Sequence, residues 1–265
     1  MKRYSLTIIA LLALSSWSFA NSIEQPSLGF FAGIGVSDNP VNVDTHLSGT
    51  FDAVSGFPPL GVFTGAKSYE YRNNVMAPEA QLGYFHHLGC SDWVGGFKFL
   101  YQSLNANESR NNININFSGP ITDQLAVRVK THVTDEIAAL ALIGHSFSNK
   151  GYVYVGIGPS IFHVDNNISL DDTASALYFG SINNFSEKSN WIWGGMVQAG
   201  VTYYLNPVWF LDFNYAYAAT GHTDSHHSGS FSPLNGGLNT GTVSFNSSRR
   251  VTAQSFLVSI NRVIF

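Results

Sequence analysis

Apolar and polar residues alternate with period two along much of this chain, most plainly between Asn190 and Gly221. Trp191, Trp193, Gly195, Val197, Ala199, Val201 and Tyr203 share one face, and Gly194, Met196, Gln198, Gly200, Thr202 and Tyr204 share the other. After Leu205-Asn206-Pro207, a second run sets Trp209, Leu211, Phe213, Tyr215, Tyr217 and Ala219 against Val208, Phe210, Asp212, Asn214, Ala216 and Ala218. Period two predicts strands, and Asn-Pro predicts a tight turn between them. A membrane helix over 188–212 is the competing reading, because no charge lies between Lys188 and Asp212. Pro207, the glycines and the Val/Tyr/Trp enrichment count against it.

The two faces are reversed relative to a soluble sheet. One is apolar and tipped with bulky aromatics; the other is small and polar. That is the pattern of a barrel in lipid, with an apolar exterior, a polar interior and aromatic belts at both interfaces. Trp191 to Tyr203 at roughly 3.3 Å per residue and a tilt near 40° rises about 30 Å, the thickness of a bilayer core.

The same alternation places the other strands. The first runs from Leu28 to Ser37, and a polar loop with Phe57-Pro58-Pro59 follows to about Asn74. The second spans about Glu79–His87, with Ala80, Leu82 and Tyr84 opposed to Gln81 and Gly83. The third sets Trp93, Gly95, Phe97, Phe99 and Tyr101 against Val94, Gly96, Lys98, Leu100 and Gln102. Alternation in 112–117 and 125–133 predicts a hairpin projecting beyond the membrane. The fourth strand crosses from Glu136 to Phe147, and the fifth follows Ser148-Asn149-Lys150-Gly151. Long polar segments occupy 165–188 and 220–249, and a last strand covers 250–265. Short turns follow strands two, four and six, and long loops follow one, three, five and seven. The expected fold is an all-β, eight-stranded, antiparallel up-and-down transmembrane β-barrel. It has three short periplasmic turns and four long extracellular loops; a ten-stranded variant would need a further hairpin near 50–63.

Composition agrees. Charged residues are 11% of the 265, against about a quarter in soluble proteins, while aromatics reach 14%. Residues 1–20 read as a signal peptide: Lys2-Arg3, an apolar run from Leu6 to Leu14, and Ser18-Phe19-Ala20 before the cut. The mature barrel domain is then 21–265. Net charge is −4, which gives no reason to expect nucleic acid. Cys90 is the single cysteine, so no internal disulfide forms.

The signal peptide, eight strands and terminal Phe265 resemble the OmpA/OmpX-like, opacity-like small outer-membrane barrels of Gram-negative bacteria. The resemblance is one of architecture over the whole mature chain. It implies that Phe265 is part of an assembly signal and that the barrel-assembly machinery is a transient partner. It also implies lasting contact with outer-membrane lipid and lipopolysaccharide, and loops that meet an environmental or host ligand. The last strand departs from the pattern. One phase holds Phe265, Val263, Asn261, Ser259 and Leu257; the other holds Ile264, Arg262, Ile260, Val258 and Phe256, so a bulge near Asn261 is one solution.

Phase places Glu79, Lys98, Glu136, Asp212 and Gln198 in the lumen, with Gln81, Gln102 and Asn214. Isolated buried charge is costly, so these groups are expected to pair in one network that fills the bore; a gated ion path is the alternative. The expected aromatic girdle is Trp93, Tyr101, Trp191, Trp193, Tyr203, Trp209 and Tyr217. His222, His226, His227 and Asp224 are types that bind transition metals, but solvated loop residues are the expectation, and no cofactor or metal is called for. His226-x-Ser228 faintly looks like the pair of outer-membrane lipid A deacylases, yet no glutamate follows Glu187. A structural or surface-interaction role is therefore expected rather than catalysis; a small pore and a lipid-modifying enzyme are the alternatives.

Overall fold

The computed structural model describes residues 28–55, 61–117, 123–148, 150–170, 188–231 and 240–264. Among them the chain forms nine strands: β1 (Phe30–Ser55), β2 (Gly61–His87), β3 (Trp93–Phe117), β4 (Asp123–Ser148), β5 (Gly151–Leu170), β6 (Lys188–Tyr204), β7 (Trp209–Thr220), β8 (Thr223–Phe231) and β9 (Thr240–Val263). All pairings are antiparallel between neighbours, and β1 pairs with β9, so the sheet closes on itself. The 188–212 segment is strand, turn and strand, not helix.

Nine strands occupy eight positions in the ring. β7 and β8 lie end to end along β9, from Trp209↔Arg262 to Ala219↔Thr252 and then from Thr223↔Arg249 to Phe231↔Gly241. Gly221-His222 interrupts what is otherwise one long strand. The short connections at 88–92 and 205–208 lie at one end, where β4 also meets β5 at Ser148↔Gly151. There the Asn206 side chain accepts from the Val208 and Trp209 amides at 3.0 and 2.9 Å, which holds the Pro207 turn.

The long segments read from sequence as loops are mostly strand. β1 to β4 each run 25–27 residues, well beyond the 9–11 that cross a bilayer. They were illegible as sheet because both faces of the upper parts carry polar residues, so alternation fades. The hairpin expected from 112–117 and 125–133 is present, joined by equally tall β1–β2 and β8–β9 arms. Residues 50–55 and 61–63 belong to the β1–β2 arm and add no further position to the ring. Met1–Ala20, Phe57-Pro58-Pro59, Asn149 and Phe265 fall outside the described residues.

The last strand takes the phase that puts Ile264, Ile260 and Phe256 outward, and Val263, Asn261, Ser259 and Leu257 inward. Its pairing with β1 shows no register shift from Phe31↔Val263 to Thr50↔Ser244, so there is no bulge at Asn261. Arg262 lies outward at the turn end, its guanidinium 5.7 Å from the Trp209 ring centre. An interfacial arginine costs little there because its head reaches the polar boundary. Gly33 makes the close pairing possible: a Cβ on it would stand 2.8 Å from the Ile260 carbonyl oxygen and inside the Asn261 side chain.

Candidate functional site: a packed bore beneath a two-sheet sandwich

The outward face changes character at one level on β1, β3, β4, β5 and β6. On β1, Phe30, Ile34 and Val36 give way to Asp38, Asn42 and Asp44; on β3, Phe97, Phe99 and Tyr101 give way to Ser103 and Asn105. β4 switches at Ile137/Asp135, β5 at Ile161/His163 and β6 at Trp191/Ser189. Register aligns these switches, since Tyr101 faces Ile137, Ile161 faces Trp193 and His163 faces Trp191. A continuous apolar ring results, with Trp193 and Ile34 each 69% exposed. All seven expected girdle residues lie exposed on it: Trp93, Tyr203 and Trp209 toward the short turns, and Tyr101, Trp191, Trp193 and Tyr217 toward the long arms. Tyr101 donates to Asp135 at 2.7 Å across the boundary.

The interior is not the polar lumen the sequence implies. At the turn end, Phe31, Phe85, Phe210, Tyr152 and Tyr204 fill the bore; Phe31 stacks on Phe85 at 4.9 Å, and Phe210 meets Tyr204 at 5.2 Å. Both phases are aromatic here (Phe30/Phe31, Tyr203/Tyr204, Trp209/Phe210), because one set forms the girdle and the other the plug.

Above the plug lie the charged groups. Lys98, only 1% exposed, donates to Asp212 at 3.2 Å and to the Tyr154 hydroxyl at 2.9 Å. Tyr154 in turn donates to Asp212 at 2.9 Å, and Asn214 donates to Asp212 at 3.0 Å. Gln198 joins this group by donating to Asn214 at 2.6 Å. A second group is separate: Gln102 donates to Glu79 at 2.8 Å and accepts from Ser255, which also donates to Asn39. Gln81 donates to Ser259 and Asn261. Glu136 belongs to none of these. It is fully buried, with both carboxyl oxygens lacking a hydrogen bond, so the single network expected from phase is three groups and an isolated acid. Sequence reasoning omitted Tyr154, Asn39, Ser255 and Asn261. Tyr154 could have been found as the one phenol two residues from Tyr152 on the inward phase.

Over this polar layer the bore is apolar again, with Val41, Val43, Leu104, Ala106, Val133, Phe162, Val164 and Val251 buried together. Higher still, the ring divides. β2 pairs with β3 only from His87↔Val94 up to Glu79↔Gln102. Phe85 gives its amide to Gly29 on the β1 side, so odd-numbered β2 residues bond toward β1 and even-numbered ones toward β3. Pro78 stands where the next donor to β3 would be. On the facing strand, Asn105 has φ of 48° within a register shift between Ser103 and Ala106. Side chains cross the gap instead: Tyr71 donates to the Asn107 carbonyl at 3.0 Å, and Arg110 to the Glu70 carbonyl at 2.9 Å.

Two walls therefore rise above the membrane band, β2-β1-β9-β8 and β3-β4-β5. Their inner faces share a second core of Leu47, Val243 and Phe245 from one wall and Ile113, Ile115, Val127, Val129 and Ile168 from the other. Seventeen steps from Asp38 to Ser55 at roughly 3.3 Å and 40° tilt put the top roughly 40 Å above the boundary. This extension is a two-sheet sandwich in its packing logic, with apolar inside and polar outside.

The histidine cluster dissolves on folding. β8 is a strand, so His226 points outward and bonds Asn246 at 2.6 Å, while His227 points inward beside Asn166. Among the described residues, no group of three or more His, Cys, Asp or Glu could hold a metal. His226 and Ser228 do share a face, but it is the outer face of the polar extension. Asn246, opposite His226, lies ten residues above Phe256, the last apolar outward residue of β9, or roughly 25 Å above the lipid boundary.

A closed antiparallel sheet with an apolar, aromatic-rimmed outer band and short turns at one end defines a transmembrane β-barrel of the outer-membrane type. No family model matches the chain, and no curated protein matches it. Solved structures similar to it include Ail of Yersinia pestis in complex with the heparin analogue sucrose octasulfate (13% identity, 84% of this chain and 99% of that one, TM-score 0.36). OprG from Pseudomonas aeruginosa shares 15% identity over 90% and 99% of the two chains, with TM-score 0.37. The outer-membrane protease OmpT from Escherichia coli shares 10% over 87% and 99%, with TM-score 0.42.

Proposed function

We propose that the protein is a non-enzymatic surface protein of a bacterial outer membrane, whose barrel anchors a tall sandwich that meets the environment or a host ligand. One observation carries this reading: the interior is packed from the aromatic plug to the extracellular core, while the outward polar face is the largest feature left for contact. On this reading Met1–Ala20 directs export, Phe265 contributes to recognition by the assembly machinery, and the band contacts lipid and lipopolysaccharide. The outward face of the extension carries Asp38, Asp44, Glu70, Arg72, Lys130 and Arg250, both signs interspersed, which suits a polar partner rather than an apolar one.

The test is labelling of intact cells with a membrane-impermeant maleimide in a Cys90→Ser background. Asn42→Cys on the extension should label, and Ser148→Cys beside a short turn should label only after lysis. The reverse pattern overturns the orientation. Single-channel steps from the purified protein in planar bilayers would replace the anchoring role with a pore.

A further inference from the structure

Within the sandwich, one polar row lies between the two apolar cores. Thr45 on β1 sits directly opposite Tyr69 on β2 and directly opposite Arg249 on β9, so the three side chains form a row across the inner face of one wall. Val43 and Val251 lie beneath the row and Leu47 above it. Arg249 is 5% exposed, and Thr45 is buried. The Arg249 guanidinium touches Ser247, but among the described residues its Nε donates to nothing and no carboxylate pairs with it. The Tyr69 and Thr45 hydroxyls neighbour one another without a well-aligned bond, and both oxygens lack a partner.

A buried guanidinium without an anion is among the costlier arrangements a fold can hold. Burial pulls Arg249 down to about 10, still far above neutral pH, so it remains charged. The groups around the row do not neutralise it. Glu108 and Arg110 on β3 face Tyr69 and bond each other, so they cancel. Across the sandwich stand Asn166 and Thr131, and Asn166 bonds His227 of β8, which lies farther along the same wall as Arg249. One positive charge and three donors on neighbouring register positions are thus left over among the described residues: Arg249 Nε–H, the Tyr69 hydroxyl and the Thr45 hydroxyl. Asn166 Oδ1 is an unmatched acceptor nearby, which a water carried with the ligand would serve.

We propose that Arg249, Tyr69 and Thr45 form a binding site for a small inorganic monoanion of the halide class, which ties β2, β1 and β9 together inside the extracellular sandwich. Dense apolar layers above and below exclude larger oxyanions and organic acids, and a single net charge matches a monoanion rather than sulfate.

The experiment is thermal unfolding of the refolded full-length barrel in neutral detergent, followed by heat-modifiable gel mobility and near-UV signal. Potassium gluconate is exchanged for potassium chloride or bromide at constant ionic strength. The wild type should gain stability saturably with chloride and bromide. Arg249→Gln should lose the saturable response, Tyr69→Phe should weaken apparent affinity about tenfold, and Arg250→Gln, on the outward face, should keep it. No halide-specific gain in the wild type, or an equal gain in Arg249→Gln, overturns the site. Should Arg249→Gln fail to fold, chloride NMR linewidths on the wild type decide. Excess broadening removed by bromide supports the site, and its absence refutes it.

Discussion

Asp212→Ala should be the most informative single change in the bore. Lys98 is almost fully buried in the membrane-spanning half, and among the described residues Asp212 is its only carboxylate partner within 4 Å. The substitution removes the 3.2 Å ion pair and takes two acceptor oxygens from Tyr154 and Asn214. Breaking one side of a buried pair costs about 3–5 kcal/mol, because the remaining charge is left uncompensated. The companion Lys98→Met/Asp212→Leu removes both charges and fills similar volume, and such replacements are often neutral or stabilising. Urea unfolding in micelles, read by gel mobility, should show a large loss for the single variant and a loss below about 1 kcal/mol for the double. The two midpoints are compared at unchanged slope. If the single variant loses less than about 1 kcal/mol, or if the double loses the sum of both singles, the charges do not depend on each other and the pairing account fails.

Three further outcomes follow from the same geometry. Ile157→Arg, outward at mid-band with 66% exposure, should cost about 2–4 kcal/mol in bilayers, whereas Asn42→Arg on the extension should change stability little; equal effects would misplace the band. Phe245→Ala should cost about 3–5 kcal/mol but act on the sandwich alone, so protease should cut the arms while the membrane half keeps its shifted gel mobility; a single concerted loss would contradict the two-core account. Gly158→Val should abolish assembly of the β4–β5 ladder, because even a Cβ would stand 1.9 Å from the Ala139 carbonyl oxygen; a stable barrel with native mobility would show that this approach is not so close.

Much of the membrane half was legible from the sequence because lipid imposes a demand on every second residue. Trp93, Phe97, Phe99 and Tyr101, or Trp191, Trp193, Val197 and Val201, can alternate against small or polar neighbours over 9–11 residues only if one side meets hydrocarbon. That constraint is local, so the strand, its outward face and its length could be read together. The turn at Asn206-Pro207 was legible for the same reason: it sets backbone geometry by itself.

What tertiary structure decided was everything that depends on which side chains meet across the bore. Alternation marks Lys98, Glu136 and Asp212 as inward without saying that Lys98 reaches Asp212 and Tyr154 while Glu136 reaches nothing; that depends on the stagger between distant strands. Nor does a polar stretch announce that it continues as sheet. The segments 38–55, 61–74, 223–231 and 240–250 read as loops because water on one face and sparse apolar contacts on the other leave little contrast. They form strands because their ladders continue from ordered neighbours below, and Leu47, Ile113, Val127, Ile168 and Phe245 then find one another across two walls. A pattern along one strand records the solvent on either side of it; the partner across a closed sheet is fixed only when the ring shuts.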